Sequence, residues 1–157
     1  MGLGSNLQQP GQQIADALAE LDAIDDTALL TASSLYRSPP MGPADQPDYI
    51  NAVAAIETGL QPLQLLEALQ GIEHAHQRVR KRRWGERTLD LDLLLYEDLV
   101  MQTPRLRIPH PGITQRAFVL LPLLEIAPNA VIPGKGPARD YLEGLENRKL
   151  TKIESSF

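Results

Sequence analysis

A period of two divides residues 49–57 (YINAVAAIE) into two faces, and over residues 88–96 (TLDLDLLLY) polar and apolar residues alternate as in a strand with one face against a core. In the first run Tyr49, Asn51, Val53 and Ala55 take one face, and Ile50, Ala52, Ala54 and Ile56 the other. In the second, Leu89, Leu91, Leu93 and Leu95 share a face, and Asp90 and Asp92 point the opposite way. A helical period replaces the alternation over residues 10–24, where Ile14, Ala17, Leu18 and Leu21 recur behind Pro10, a residue suited to a first turn. It returns over 60–78, with Pro62 near the start and Leu65, Leu66, Leu69, Ile72 and His76 on one stripe. Residues 28–36 (ALLTASSLY) predict a further strand, 99–101 and 106–108 short ones, and 116–125 an apolar helix that Pro122 should kink or bound. From Val131 the pattern predicts a short strand, a Gly-rich turn and a helix from about Asp140, whose carboxylate suits an N-terminal cap. The opening Gly2-Leu3-Gly4-Ser5-Asn6 reads as the end of a strand entering a turn.

Length and composition add that this is one domain: 157 residues, 43% of them hydrophobic, suffice for a single sizeable core. The formal charge of −5 speaks against general nucleic-acid binding, which needs a broad basic surface. With no cysteine, disulfides, thiolate zinc sites and a thiol nucleophile are excluded. No apolar run reaches bilayer length and the N-terminus has no leader pattern, so a soluble cytoplasmic monomer without a membrane partner is expected. Residues 37–48 hold four prolines and a glycine, a long loop of the kind that serves as a lid or binding edge, or simply as a stiff connection.

Against the acidic whole, six of the fifteen Lys and Arg residues fall between Arg78 and Arg87. Immediately beyond them stand Asp90 and Asp92, two residues apart on a strand and so ~6–7 Å apart at the backbone, near enough to converge on one divalent cation or a bridged pair. Two carboxylates on one strand face repel, and a cation removes that conflict. A ligand that wants both features is a polyphosphate, with magnesium bridging it to carboxylates and arginines neutralising charge that moves in transfer. The plainer readings are a solvated basic face, a nucleic-acid patch or a localisation signal for the run, and a wet sheet face for the pair.

No Walker A or dinucleotide fingerprint accompanies them: Gly2-Leu3-Gly4 lacks the third glycine, and Gly134-Lys135-Gly136 lacks the following Ser or Thr. Tyr49 and Asn51, on one strand face, offer a stacking surface and an amide that both donates and accepts, as a flat heteroaromatic ligand requires, though a strand end explains them equally. His110, between Pro109 and Pro111, is placed rigidly in a loop where a polar role is favoured over core filling. His74 and His76 do not face each other on a helix and so share no metal, and a core position is the plain reading of Phe118.

Taken together, Gly4-Ser5-Asn6, residues 33–43 (SSLYRSPPMGP), 46–51 (QPDYIN), 83–92 (RWGERTLDLD), Pro109-His110-Pro111 and 116–120 (RAFVL) resemble the 6-hydroxymethyl-7,8-dihydropterin pyrophosphokinase family. The resemblance runs from Gly2 to about Pro128, and the 83–94 segment is highly specific. It implies an α+β fold, a ferredoxin-like antiparallel sheet flanked by helices, and transfer of diphosphate from ATP to the hydroxymethyl group of a reduced pterin, releasing AMP on the way to folate. It further implies two Mg²⁺ ions on Asp90 and Asp92, and Arg78, Lys81 and Arg87 as triphosphate contacts on a mobile loop that closes over the site. His110 and Arg116 match phosphate-holding positions, and Gln70, Glu73, Leu93, Arg105 and Arg107 match the ATP pocket. Tyr49 and Phe118 correspond to rings that sandwich the pterin, Asn51 with the backbone of Ser38 and Met41 to groups that read its edge, and Trp84 to a residue that closes over it. Two departures are visible: only four residues precede Ser5 where relatives have a full strand, so a truncated first strand is expected, and Glu86 stands where proline is common in a loop about one residue shorter. A non-enzymatic RNA-binding module and a different Mg²⁺-dependent phosphohydrolase are the alternatives.

Overall fold

The computed structural model describes residues 1–6, 9–39, 47–76, 89–145 and 150–153. Its elements are β1 (Gly2–Ser5), α1 (Pro10–Asp22), β2 (Thr27–Ala32), β3 (Leu35–Ser38), β4 (Tyr49–Thr58), α2 (Pro62–His76) and β5 (Asp90–Asp92). They continue with β6 (Met101–Gln102), β7 (Arg107–Ile108), α3 (Ala117–Ile126), β8 (Val131–Ile132), β9 (Gly136–Pro137), α4 (Arg139–Leu142) and β10 (Thr151–Ile153). The main sheet is antiparallel in the order β10-β3-β4-β1-β5, and β2 pairs with the far half of β4. This is an α+β, ferredoxin-like fold: β1 lies between β4 and β5, and the crossover helices α1 and α2 cover the same face.

The alternation read from the sequence sorts side chains into two cores. Leu3, Ile50, Ala52, Ala54 and Leu91 face Ile14, Ala17, Leu18 and Leu21 of α1 and Leu65 and Leu69 of α2. On the opposite face Val53 meets Val119, Leu120 and Leu123 of α3, joined by Leu94, Ile113, Ile132 and Ala138. The two cores together bury both sides of β4, which explains why that strand reads as apolar on both faces.

Four local expectations are corrected. The strand predicted over 28–36 is two strands, because Ser33 takes part in the ladder with its side chain: its N–H donates to Val53 O (2.8 Å) while its hydroxyl accepts Val53 N–H (2.9 Å). That double engagement with one residue breaks the register between β2 and β3. The strand predicted over 88–96 pairs only at Asp90–Asp92, and Leu95 does not join the face of Leu89, Leu91 and Leu93. Beyond Asp92 the chain leaves the ladder, so that Leu93 enters the larger core while Leu94 and Leu95 enter the smaller one. Of the two effects expected of Pro122, a kink or a boundary, the boundary does not occur: helix α3 runs through Pro122, since proline removes a single N–H donor and the apolar flanks stay packed. Asp140 lies inside the first turn of α4, behind Ala138 at the cap, and makes no capping hydrogen bond.

Glu125 of α3 fastens that helix to the strand junction. It accepts from Ser34 N–H (3.0 Å), the Ser34 hydroxyl (2.9 Å) and the Tyr36 hydroxyl (2.6 Å). Burial alone would raise its carboxyl, but these bonds and the Lys152 charge hold it below its ordinary value of 4.5. Burial and the Glu125 contact push the Tyr36 phenol upward in turn. A depressed carboxyl stabilises the fold above its unfolded value and loses that contribution as pH falls through 4.5 and below. Glu125→Gln should therefore lower the thermal midpoint at pH 7, with the gap to wild type closing as pH falls below about 4. Unfolding scans across pH check this, and a gap that is constant with pH would contradict it.

Candidate active site

The strand register assembles the polar residues into rows on the face opposite α1 and α2. Asp90 of β5 pairs with Gly4 of β1, Gly4 with Asn51 of β4, and Asn51 with Tyr36 of β3. In the adjacent row Asp92 pairs with Gly2, and Gly2 with Val53. Residues paired across antiparallel strands share a face, so both carboxylates and Asn51 project together, separated by two glycines that raise no side chain between them. The approach is close: a Cβ on Gly4 would sit 3.2 Å from Asn51 Oδ1, and one on Gly2 would sit 3.5 Å from Leu94 Cδ1, so Asn51 lies over Gly4 and Leu94 over Gly2. The glycines thus make a floor on which Asn51 and Leu94 lie, between the acidic edge strand and β4. The sequence signal for this is a Gly-x-Gly inside a strand, whose two glycines fall on one face.

At the far side of the floor, Asn51 Nδ2 donates to Ser38 Oγ at 2.8 Å, with both residues buried. Tyr49 is half-buried and pairs with Ser38 across β3 and β4. Asn6, buried at the end of β1, donates to Pro47 O (3.1 Å) and so ties the glycine strand to the entry of β4.

The third wall comes from the segment before α3. The His110 N–H donates to Leu94 O (3.0 Å), after a cis Ile108–Pro109 bond. Gly112 N–H donates to His110 Nδ1 (3.0 Å), which leaves Nε2 to carry the ring proton. Burial pulls the imidazole below its ordinary pKa of 6.5, Asp92 opposing the shift and Arg116 adding to it. His110 is therefore a neutral donor at pH 7, within the field of Asp92 and Arg116. Arg116, at the N-cap of α3, places its guanidinium 5.7 Å from the Phe118 ring centroid, a cation–π contact. Gly112 permits this, since a Cβ there would sit 2.8 Å from Arg116 Nε. One wall thus presents a fixed cation, a neutral imidazole donor and an aromatic ring to the carboxylate-lined floor.

A family model described as 7,8-dihydro-6-hydroxymethylpterin-pyrophosphokinase matches residues 1–128. A protein of Haemophilus influenzae named 2-amino-4-hydroxy-6-hydroxymethyldihydropteridine pyrophosphokinase is 49% identical over 98% of this chain and 96% of its own length. Proteins of the same name from Pseudomonas aeruginosa (50% identical, 85% of this chain, 82% of the relative) and Methylorubrum extorquens (42%, 98% and 97%) are similar over most of their length. The chain belongs to this pyrophosphokinase family. It is accordingly an enzyme of the ATP-dependent diphosphotransferase class.

Of the positions that the family resemblance singled out, Asp90, Asp92, Ser38, Tyr49 and Asn51 lie along the sheet face, and His110, Arg116 and Phe118 on the segment that borders it. Gln70 and Glu73 lie instead on α2, beyond the β5 edge. Glu73 Oε2 accepts Leu91 N–H at 2.8 Å. Arg105, in the β6–β7 turn, pairs with Glu67 of α2 at 3.5 Å, both side chains being more than half exposed, while Arg107 is exposed on β7. The Leu93 side chain is buried in the larger core. Arg78, Lys81, Trp84, Arg87 and Met41 lie outside the described residues.

Among the described residues no group of three or more His, Asp or Glu gathers around a metal position. Two carboxylates on one face nevertheless fit magnesium, a hard cation that is held by one or two carboxylates together with substrate phosphates and water. No helix among the described residues is long and apolar enough to cross a membrane.

Proposed function

We propose that this chain transfers the β,γ-diphosphate of ATP to the hydroxymethyl oxygen of 6-hydroxymethyl-7,8-dihydropterin, releasing AMP, as a step of folate biosynthesis. The pterin ring lies between Tyr49 and Phe118, and its edge is read by Asn51 and by the backbone at Ser38 and Met41. Asp90 and Asp92 hold two Mg²⁺ ions with the triphosphate, and magnesium there supplies charge neutralisation and alignment of the phosphate oxygens. Arg116 and the Nε2–H of His110 donate to phosphate oxygens, and Arg78, Lys81 and Arg87 close from the basic arm together with Trp84. The nucleotide extends toward Gln70, Glu73, Leu93, Arg105 and Arg107.

The pterin oxygen bonds to the β-phosphorus, the bond from that phosphorus to the bridging oxygen of the α-phosphate breaks, and AMP leaves as the hydroxyl proton is released. No protein nucleophile is required, so positioning and charge stabilisation can carry the acceleration. The observation that carries this reading is the register that sets two carboxylates and Asn51 on one face across Gly2 and Gly4. Incubation with ATP, Mg²⁺ and the hydroxymethyl pterin, followed by identification of the nucleotide product, tests it. AMP formed only when the pterin is present is the expected result. ADP, or phosphate release without the pterin, would point to a phosphohydrolase, and metal-independent, salt-sensitive RNA binding without turnover to an RNA module.

A further inference from the structure

Strand β5 is three residues long and, among the described residues, ends the sheet with β1 as its one neighbour. Successive residues of an antiparallel strand turn their backbone groups alternately toward and away from the partner. Leu91 N–H turns away from β1, because it is bonded to Glu73 Oε2 of α2 at 2.8 Å. Asp90 and Asp92, its two neighbours, therefore turn their backbone groups to Gly4 and Gly2. The segment that carries both acidic side chains is thus held by β1 at its two ends and by one helix carboxylate at its middle. A bond from a backbone N–H to an ionised carboxylate is among the stronger hydrogen bonds, and it here reaches an edge that has no further strand among the described residues. The Asp22 carboxylate of α1 does the same for the opposite part of the sheet, accepting Leu29 N–H of β2 at 2.8 Å. Only the Glu73 bond lies between two candidate metal ligands.

We propose that Glu73 is a positioning residue for the carboxylate strand: by holding Leu91 N–H from the α2 side, it sets where the Asp90 and Asp92 side chains stand and so governs metal-dependent nucleotide binding without touching the reacting atoms. The inference rests on the reading of Asp90 and Asp92 as metal ligands of a diphosphotransferase. It gives Glu73 a task that a neutral acceptor of the same shape can perform, whereas a direct role toward the nucleotide through its charge cannot be so replaced.

The test compares Glu73→Gln, which keeps an acceptor oxygen, with Glu73→Met, which keeps the length and helix propensity but accepts nothing. In the ligand-free full chain, Glu73→Met should speed amide exchange at Leu91 by about tenfold or more while amides of β4 and α1 keep their wild-type rates. In the same variant the Mg²⁺ concentration for half-maximal AMP formation at saturating ATP should rise by about five- to tenfold, whereas Glu73→Gln should keep Leu91 exchange within about twofold of wild type and raise the Mg²⁺ requirement clearly less than Glu73→Met does. Three results would overturn the proposal: unchanged Leu91 exchange in Glu73→Met, Gln and Met variants equally impaired, or a raised ATP KM with the Mg²⁺ dependence untouched. A wild-type chain that forms no AMP would sink the functional reading itself, and the metal part of the proposal with it. Wild-type turnover alongside indistinguishable Met and Gln variants would sink the proposal alone.

Discussion

Replacing Asp92 by asparagine is expected to slow AMP formation by about a thousandfold or more, equivalent to ~4 kcal/mol of lost transition-state stabilisation. The substitution keeps the shape of the side chain and removes its charge, so its effect reads the charge alone. Asp92 is half-buried on an edge strand whose backbone bonds go to Gly2, and those bonds do not depend on the carboxylate. The far-ultraviolet spectrum and unfolding midpoint should therefore stay close to wild type while turnover is lost. Titration with ATP should show the Mg²⁺-dependent part of nucleotide binding weakened, since one of two candidate ligands has gone. A second consequence follows at His110: the Asp92 charge raises its pKa against burial and Arg116, so its removal should lower that pKa further. Nuclear magnetic resonance titration of the imidazole measures it. Turnover within tenfold of wild type would remove the carboxylate pair from the mechanism.

Asn51→Leu should act on the other substrate. The amide is buried, its Nδ2 donates to Ser38 Oγ at 2.8 Å, and its Oδ1 lies over Gly4. Leucine of similar size leaves the Ser38 hydroxyl without that donor and presents a methyl group where a pterin edge needs an acceptor and a donor. An unpaired buried polar group costs roughly 1–3 kcal/mol, on the protein in the free state and on the ligand in the complex. The expected result is a rise of about a hundredfold in the pterin KM with the ATP KM within about threefold, and a fall in unfolding free energy of ~1–2 kcal/mol. Steady-state kinetics with each substrate varied in turn separates the two. Equal changes in both KM values would assign Asn51 to the fold rather than to recognition.

The period of two over residues 49–57 made β4 and both of its faces legible, and the structure sorts Ile50, Ala52 and Ala54 from Val53 as that period requires. Helices α1 and α2 were legible for the same reason, their apolar stripes being long enough to outvote local exceptions. The carboxylate pair was legible because two aspartates on one face of a strand are out of place without a reason. Shorter features were not. The division of residues 28–36 depends on Ser33 bonding to Val53, twenty positions away, and the end of β5 depends on two cores competing for Leu93 and Leu94. Neither partner is visible in a local window. Glu73 could be placed on a helix from its sequence, but its bond to Leu91 spans residues whose chain path no periodicity describes.

By itself, then, the sequence determined which side chains share a face, because pleat and helix turn are local geometry repeated every two or 3.6 residues. It also determined that an acidic pair follows a basic run, because that is order along the chain. Only the tertiary structure decided that Gly2 and Gly4 lie between the acidic pair and Asn51, that Gly112 gives Arg116 room to lie against Phe118, and that a helix carboxylate closes the edge at Leu91. Those facts are set by strand order and register, which arise from burying two faces of one sheet at once, and a chain read one residue at a time carries no distance between strands.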